Sequence, residues 1–131
     1  MQKIFVMNEN AISKIIVDAS LCVHRSLGPG LLEKVYQECL CYELKQRGLF
    51  VEKEKSMPVV YNELIIENAY RIDLLVEKKV VVELKSVAEL ADVHLAQTLT
   101  YLKLDGCKLG LLINFNVPYL KMGIRRVVNG L

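Results

Sequence analysis

The sequence predicts an α/β fold in which helices pack on a mixed β-sheet, and three observations carry that prediction. Apolar residues recur at helical spacing through the first third of the chain. From residue 50 onward, short runs rich in Val, Ile and Leu alternate with polar or turn residues. One further helical segment then separates the last strands from the earlier ones, so the sheet needs a crossover connection as well as hairpins.

The first element is a helix from Glu9 to Leu27: Ile12, Ile15, Ile16, Ala19, Val23 and Leu27 share a face, Asn8 is suited to cap its start, and Gly28-Pro29-Gly30 stops it. A second helix spans Leu31 to Arg47, with Gly48 as its C-terminal cap. Four strands follow, Phe50 to Lys55, Met57 to Tyr61, Tyr70 to Val76 and Val80 to Val87. The third helix runs from Ala88 to Leu104 and ends at Gly106, and Lys108 to Phe115 and Ile124 to Val128 are the last two strands. On the third helix, Ala88, Ala91, Leu95, Leu99 and Leu102 form the stripe expected to pack on the sheet. His94, Gln97, Thr98, Tyr101 and Asp105 form a polar or amphipathic stripe about a quarter turn away, suited to lining a cleft.

At 131 residues, 53% of them apolar, the chain is expected to be one domain, 1–131, with a dense core. A net charge of +2 is nearly neutral, so bulk charge lends little support to a nucleic-acid partner. Lys121, Arg125 and Arg126 are a local basic candidate, equally readable as a solvated edge. Cys22, Cys39, Cys41 and Cys107 show no Cys-x-x-Cys pairing and no His at zinc spacing, which points to reduced thiols in a cytoplasmic protein. The apolar opening Met1 to Met7 is too short for a signal peptide, and no stretch approaches a membrane span.

The residues that point to chemistry are Asp73 and the triplet Glu83-Leu84-Lys85, on neighbouring apolar runs of buried-strand composition. An unpaired ion costs several kcal/mol to bury, and two converging carboxylates repel unless a cation lies between them. Their meeting depends on register. If Glu77, Lys78 and Lys79 form a three-residue loop, Val76 pairs with Val80, Asp73 falls opposite Glu83 and Arg71 opposite Lys85. A loop of even length would put the acids on opposite faces. Taken alone, the same residues also fit a solvated strand face with Asp73 paired to Arg71 or Lys85. Glu33 is equally readable as a first-turn acid facing the helix dipole, Tyr36 as packing, and His94 as helix surface.

Gly30-Leu31-Leu32-Glu33-Lys34-Val35-Tyr36 matches the Gly-x-x-Glu-x-x-Tyr signature, and through it the chain resembles the GxxExxY proteins of the PD-(D/E)xK nuclease-like superfamily. The resemblance runs from about His24 to Val128 and includes Val80 to Val87, His94-Leu95-Ala96-Gln97 with Tyr101-Leu102-Lys103, and Leu111 to Phe115. It implies a restriction-endonuclease-like core. It further implies that Asp73 and Glu83 bind Mg²⁺, with Mn²⁺ as a substitute, that the Leu84 carbonyl is a further ligand, and that Lys85 orients the attacking water and offsets developing charge. Glu33 resembles the helix-borne acid of such sites. Gln97 and Tyr101 resemble the Gln-x-x-x-Tyr element that supports the site and contacts nucleic acid, and Tyr36 belongs to the same supporting set. Ile72 stands where the superfamily pattern has proline, a position that supplies no chemistry.

The function so implied is Mg²⁺-dependent phosphodiester hydrolysis, DNA favoured over RNA, with no membrane partner and with a homodimer or a separate protein partner as further expectations. The competing reading is a catalytically silent binding module that keeps the fold and acts through a nucleic-acid or protein partner.

Overall fold

Asn8 opens the first helix as a cap: its side-chain oxygen accepts the Ala11 N–H at 2.8 Å, satisfying a donor that the helix start leaves unpaired. The computed structural model describes residues 6–131, so the Met1–Phe5 part of the apolar opening lies outside the described residues. Helix α1 covers Glu9–Leu27, the bounds its periodicity predicts. Helix α2 covers Glu33–Gln46 rather than starting at Leu31. Gly28 and Gly30 take φ of +69° and +98°, and Leu32 is extended, so helical geometry begins only at Glu33. Tyr36 holds this turn. Its hydroxyl donates to the Gly28 carbonyl at 2.6 Å and accepts from Leu31 N–H at 3.1 Å, while its ring stacks on Phe115 at 4.4 Å.

Five strands follow in the order β1-β2-β3-β4-β5 across one sheet: β1 Val51–Tyr61, β2 Leu64–Val76, β3 Val80–Lys85, β4 Leu109–Asn114 and β5 Ile124–Val128. Only β3 and β4 run parallel. The two short strands expected at Phe50 to Lys55 and Met57 to Tyr61 are one strand, and β2 starts at Leu64, six residues before the expected Tyr70. Polar Ser56, Glu67 and Asn68 read as breaks, but they lie in an exposed part of the hairpin, where polar side chains face water without interrupting the ladder. A register shift between Met57 and Val59 and the positive φ of Asn68 mark a bulge there.

Helix α3 covers Asp92–Asp105 and β3 stops at Lys85, so Ser86 to Ala91 is a loop where sequence periodicity suggested strand and helix. Asn114 explains why. Its side chain accepts the Val87 N–H at 3.1 Å and donates to the Val87 carbonyl at 3.0 Å, clamping that residue outside either ladder or helix. The helix begins where His94 Nδ1 accepts the Ala91 N–H at 3.0 Å. Its packed face also differs from expectation. Thr98, Tyr101 and Leu102 are buried, whereas Ala88 and Ala91 are exposed and precede the helix, and Leu95 and Leu99 are half-buried. Thr98 tolerates burial because its hydroxyl bonds to the His94 carbonyl at 3.0 Å. Gly110 of β4 lets the helix approach, since a Cβ there would stand 3.0 Å from Thr98 Cγ2.

Helices α1 and α2 cover one face of the sheet, packing Ile12, Ile16, Leu40 and Leu44 against Leu74, Val82, Leu84 and Leu111. Helix α3 covers the other with Tyr101 and Leu102 against Ile72, Leu75 and Val81. Strands β3 and β4 are therefore buried on both sides, which is why they read as unbroken apolar runs. A mixed five-stranded sheet between these helices is the α/β restriction-endonuclease-like arrangement. The sequence reading did not anticipate the 3-10 turn Leu120–Gly123 before β5. All four cysteines are free, and among the described residues no helix is long and apolar enough to cross a membrane.

Candidate functional site

The β2–β3 hairpin pairs Val76 with Val80, Leu75 with Val81 and Leu74 with Val82. The next position in that register sets Asp73 against Glu83, and there side chains replace the ladder. Asp73 N–H donates to Glu83 Oε2 at 2.8 Å, and Leu84 N–H donates to Asp73 Oδ2 at 2.8 Å. The ladder goes no further, so Arg71 does not pair with Lys85; its partner is Ser56 of β1. The cause is local to Asp73. Ile72 and Leu75 pack in the same α3-side cluster, although strict alternation would separate them, so β2 steps across between them. Opposite this step, Glu54 takes φ of +54° and is left out of the β1–β2 pairing.

Electrostatics follow from that burial. Glu83 is 4% exposed. Burial is the main cause that pushes its pKa to about 8, and the adjacent Asp73 charge adds to it. Burial likewise raises Asp73, against the pull of the Leu84 N–H and Lys85. Glu33, exposed at the first residue of α2, reaches both acids through its charge and raises both. Tyr101 is pushed up to about 12 by burial, with Glu83 and Asp73 disfavouring its phenolate. Glu83, Asp73, Lys85, Glu33 and Tyr101 thus share one electrostatic neighbourhood. Among the described residues no ion pair joins Lys85 or Arg71 to either acid.

Lys85 is half-buried at the end of β3. Its carbonyl accepts Phe115 N–H at 2.9 Å, and the next residue, Ser86, donates its hydroxyl to the Leu31 carbonyl at 2.6 Å. The strand end that carries Lys85 and the turn that delivers Glu33 are therefore tied together. Gln97, half-buried, lies one turn before Tyr101 on α3, and the Tyr101 ring lies 5.6 Å from that of Tyr70. Tyr36 turns its hydroxyl to Gly28 and Leu31, so it shapes the turn to Glu33. His94 caps α3.

Two neighbours escaped sequence reading. Glu54, inside the strand expected from Phe50 to Lys55, was not singled out, yet its charge raises Asp73 and it pairs with Lys34 at 3.5 Å. Gln37, beside Tyr36 on α2, is buried at 6% exposure, and its Nε2 has no hydrogen-bond partner. Its amide is nonetheless the largest influence lowering the Glu54 carboxyl, which places the two groups beside each other. A glutamine on a helix carries no signal that would have singled it out. The apolar groove of about 300 Å³ between α1 and α2, lined by Cys22, Leu27, Cys39 and Tyr42, shares no residue with this constellation.

A divalent cation suits the donors present. Each carboxylate gives one oxygen to a backbone N–H, Asp73 Oδ2 and Glu83 Oε2, and the second oxygen of each accepts no hydrogen bond from the described residues. Burial and mutual repulsion both raise Glu83, and a cation between the two would relieve both. Among the described residues no group of three His, Cys, Asp or Glu side chains is poised for a metal, so Glu33 does not complete a cluster with the pair. Two carboxylates are still enough for Mg²⁺, which typically keeps several waters and takes substrate phosphate oxygens as ligands.

No curated protein and no solved structure matches the chain. A family model does, over residues 10–127, and it describes the PD-(D/E)XK nuclease superfamily. That span takes in the Asp73–Glu83 pair and all of the helices and strands except Glu9 of α1 and Val128 of β5, and the chain belongs to the PD-(D/E)XK nuclease superfamily.

Proposed function

We propose that this protein is a Mg²⁺-dependent nuclease that hydrolyses phosphodiester bonds, with DNA as the favoured substrate and Mn²⁺ able to replace Mg²⁺. The observation that carries the reading is the contact of half-buried Asp73 with buried Glu83 across the β2–β3 hairpin, with no ion pair to either acid among the described residues. Two carboxylates held together inside a sheet destabilise the fold, and membership in a nuclease superfamily supplies a reason for a chain to keep them.

In this reading Asp73 and Glu83 hold the cation, with the Leu84 carbonyl as a further oxygen. When bound, the ion polarises the scissile phosphate and lowers the pKa of a coordinated water. Lys85 orients the attacking water and offsets the charge that develops on the phosphoryl oxygens. Removing one such donor from a preorganised site costs about 3 kcal/mol, on the order of 10²-fold in rate. Glu33 positions a water or a second cation from the start of α2. Gln97 and Tyr101 support the acids and contact the nucleic-acid strand, with Tyr101 kept neutral as a donor.

The test is cleavage of labelled single-stranded DNA, duplex DNA and RNA by the wild type beside Lys85→Ala. Cleavage that requires Mg²⁺ or Mn²⁺ and vanishes in the variant is the expected result. No cleavage, or equal cleavage by both, overturns it and leaves the catalytically silent binding module.

A further inference from the structure

Lys121, Arg125 and Arg126 stand together in sequence as one basic candidate, and the fold separates them. Arg126 bonds to the Asn10 side chain, and Arg125 donates to the Met122 and Ile124 carbonyls. Lys121 instead lines a cleft of about 460 Å³ with His24, Arg25, Gly28, Tyr119 and Leu120, within the roughly 300–1,000 Å³ of small-ligand sites. None of the described residues lining it is acidic. Lys34, Arg47, Lys53 and Lys55 all join ion pairs, whereas among the described residues Arg25 and Lys121 join none. Tyr119 is 73% exposed, so its ring does not serve the core.

The walls of this cleft are tied to each other. His24 Nε2 lies 2.8 Å from the Val117 carbonyl, an acceptor that makes Nε2 the protonated nitrogen. That bond joins the helix carrying Arg25 to the segment carrying Tyr119 and Lys121, and Leu120 between them is anchored in the main core. Both walls also lead to the candidate site. One includes Gly28 of the turn that presents Glu33. The other continues from Phe115, whose N–H bonds to the Lys85 carbonyl. A strand held at Glu33 and Lys85 can therefore continue into the cleft.

Cations on two walls suit the phosphates of a nucleic-acid backbone, and an exposed aromatic face suits a base. A free phosphate ion would leave the ring idle, and a base inside a duplex is already stacked on its neighbours. We propose that this cleft holds one unpaired nucleotide of the DNA substrate, its phosphates on Arg25 and Lys121 and its base stacked on Tyr119. The choice of DNA rests on the nuclease reading above, which the cleft extends to substrates with a single-stranded segment beside the cut.

Fluorescence anisotropy with a labelled single-stranded DNA oligonucleotide and its blunt duplex tests it, in the Lys85→Ala background with Mg²⁺ so that hydrolysis does not consume the probe. The single strand should bind about tenfold more tightly than the duplex. Tyr119→Ala should weaken single-strand binding about tenfold without altering its salt dependence, and Tyr119→Phe should keep it. Arg25→Gln and Lys121→Gln should each lower the slope of log affinity against log salt by about 0.7, the value of one phosphate contact on a single strand. Lys45→Gln, in the last turn of α2, should do neither, and circular dichroism should be unchanged in all. No single-strand binding, duplex binding as tight or tighter, or cleft variants that behave like Lys45→Gln overturns the proposal, and cleavage by the wild type beside that result leaves the nuclease reading standing. Cleft-dependent binding by a wild type that does not cleave has the opposite meaning: the cleft stands and the nuclease reading falls.

Discussion

At the residue scale, the site is governed by two carboxyls that the fold holds closer than their charges favour. Their folded pKa values are raised, Glu83 to about 8 from 4.5 and Asp73 in the same direction. The folded state therefore binds more protons than the unfolded chain across that window, and stability falls as pH rises through it. Thermal unfolding without divalent cation should show a midpoint that drops between about pH 5 and about pH 8. Mg²⁺ should restore most of the loss at the upper end, and Glu83→Gln should flatten the pH profile, since the amide oxygen can still accept the Asp73 N–H. A wild-type midpoint that rises over this range would contradict the raised values. Titration calorimetry should show Mg²⁺ affinity falling at least tenfold in Asp73→Asn, because that change removes one of only two carboxylates in the pair.

At the element scale, the turn between α1 and α2 and the turn before β5 are each held by one residue. Tyr36→Phe keeps the stacking on Phe115 but leaves Leu31 N–H and the Gly28 carbonyl without their shared partner. Urea unfolding should show a loss of about 1–3 kcal/mol, and the turn that presents Glu33 should loosen. At Gly123 an added Cβ would lie 2.1 Å from the Asn114 carbonyl oxygen. That oxygen belongs to the backbone and has little room to move, so Gly123→Ala should cost about 2 kcal/mol or more. The loss should extend to the 86–91 loop, whose Val87 is clamped by the Asn114 side chain. These dependencies were only partly legible in sequence. The Gly-x-x-Glu-x-x-Tyr spacing was visible, but the hydroxyl partners of Tyr36 lie outside the helix period, and Gly123 sat in a segment with no predicted element.

At the scale of the whole molecule, burial is uneven. β3 and β4 are covered on both faces, whereas the hairpin beyond Met57 and Tyr70 stands in solvent. Native-state hydrogen exchange should therefore find the slowest amides in Val80–Leu84 and Leu109–Ile113. The fastest strand amides should lie between Val59 and Ile66. Uniform protection along β2 at low concentration would contradict this gradient.

The sequence by itself determined α1 to the residue, β5 to the residue, the succession of helical and strand regions and the crossover that makes the sheet mixed, although it split β1 in two. It left the length of the loop at Glu77 to Lys79 open between odd and even, and the structure settles the pairing of Val76 with Val80. The features it determined rest on periodicity and caps, which are local. It did not determine the start of α3, because Val87 is withheld from strand and helix by Asn114, 27 residues away. Nor did it determine which face of α3 is buried, because Gly110 on another strand sets the close approach. Only the tertiary structure decided that Asp73 and Glu83 close the hairpin with side chains, that Glu54 and Gln37 stand near them, and that the long hairpin leaves its apolar tip uncovered. Each of these depends on contacts between segments distant in sequence, and hydrophobic patterning along one segment carries no record of what packs against it.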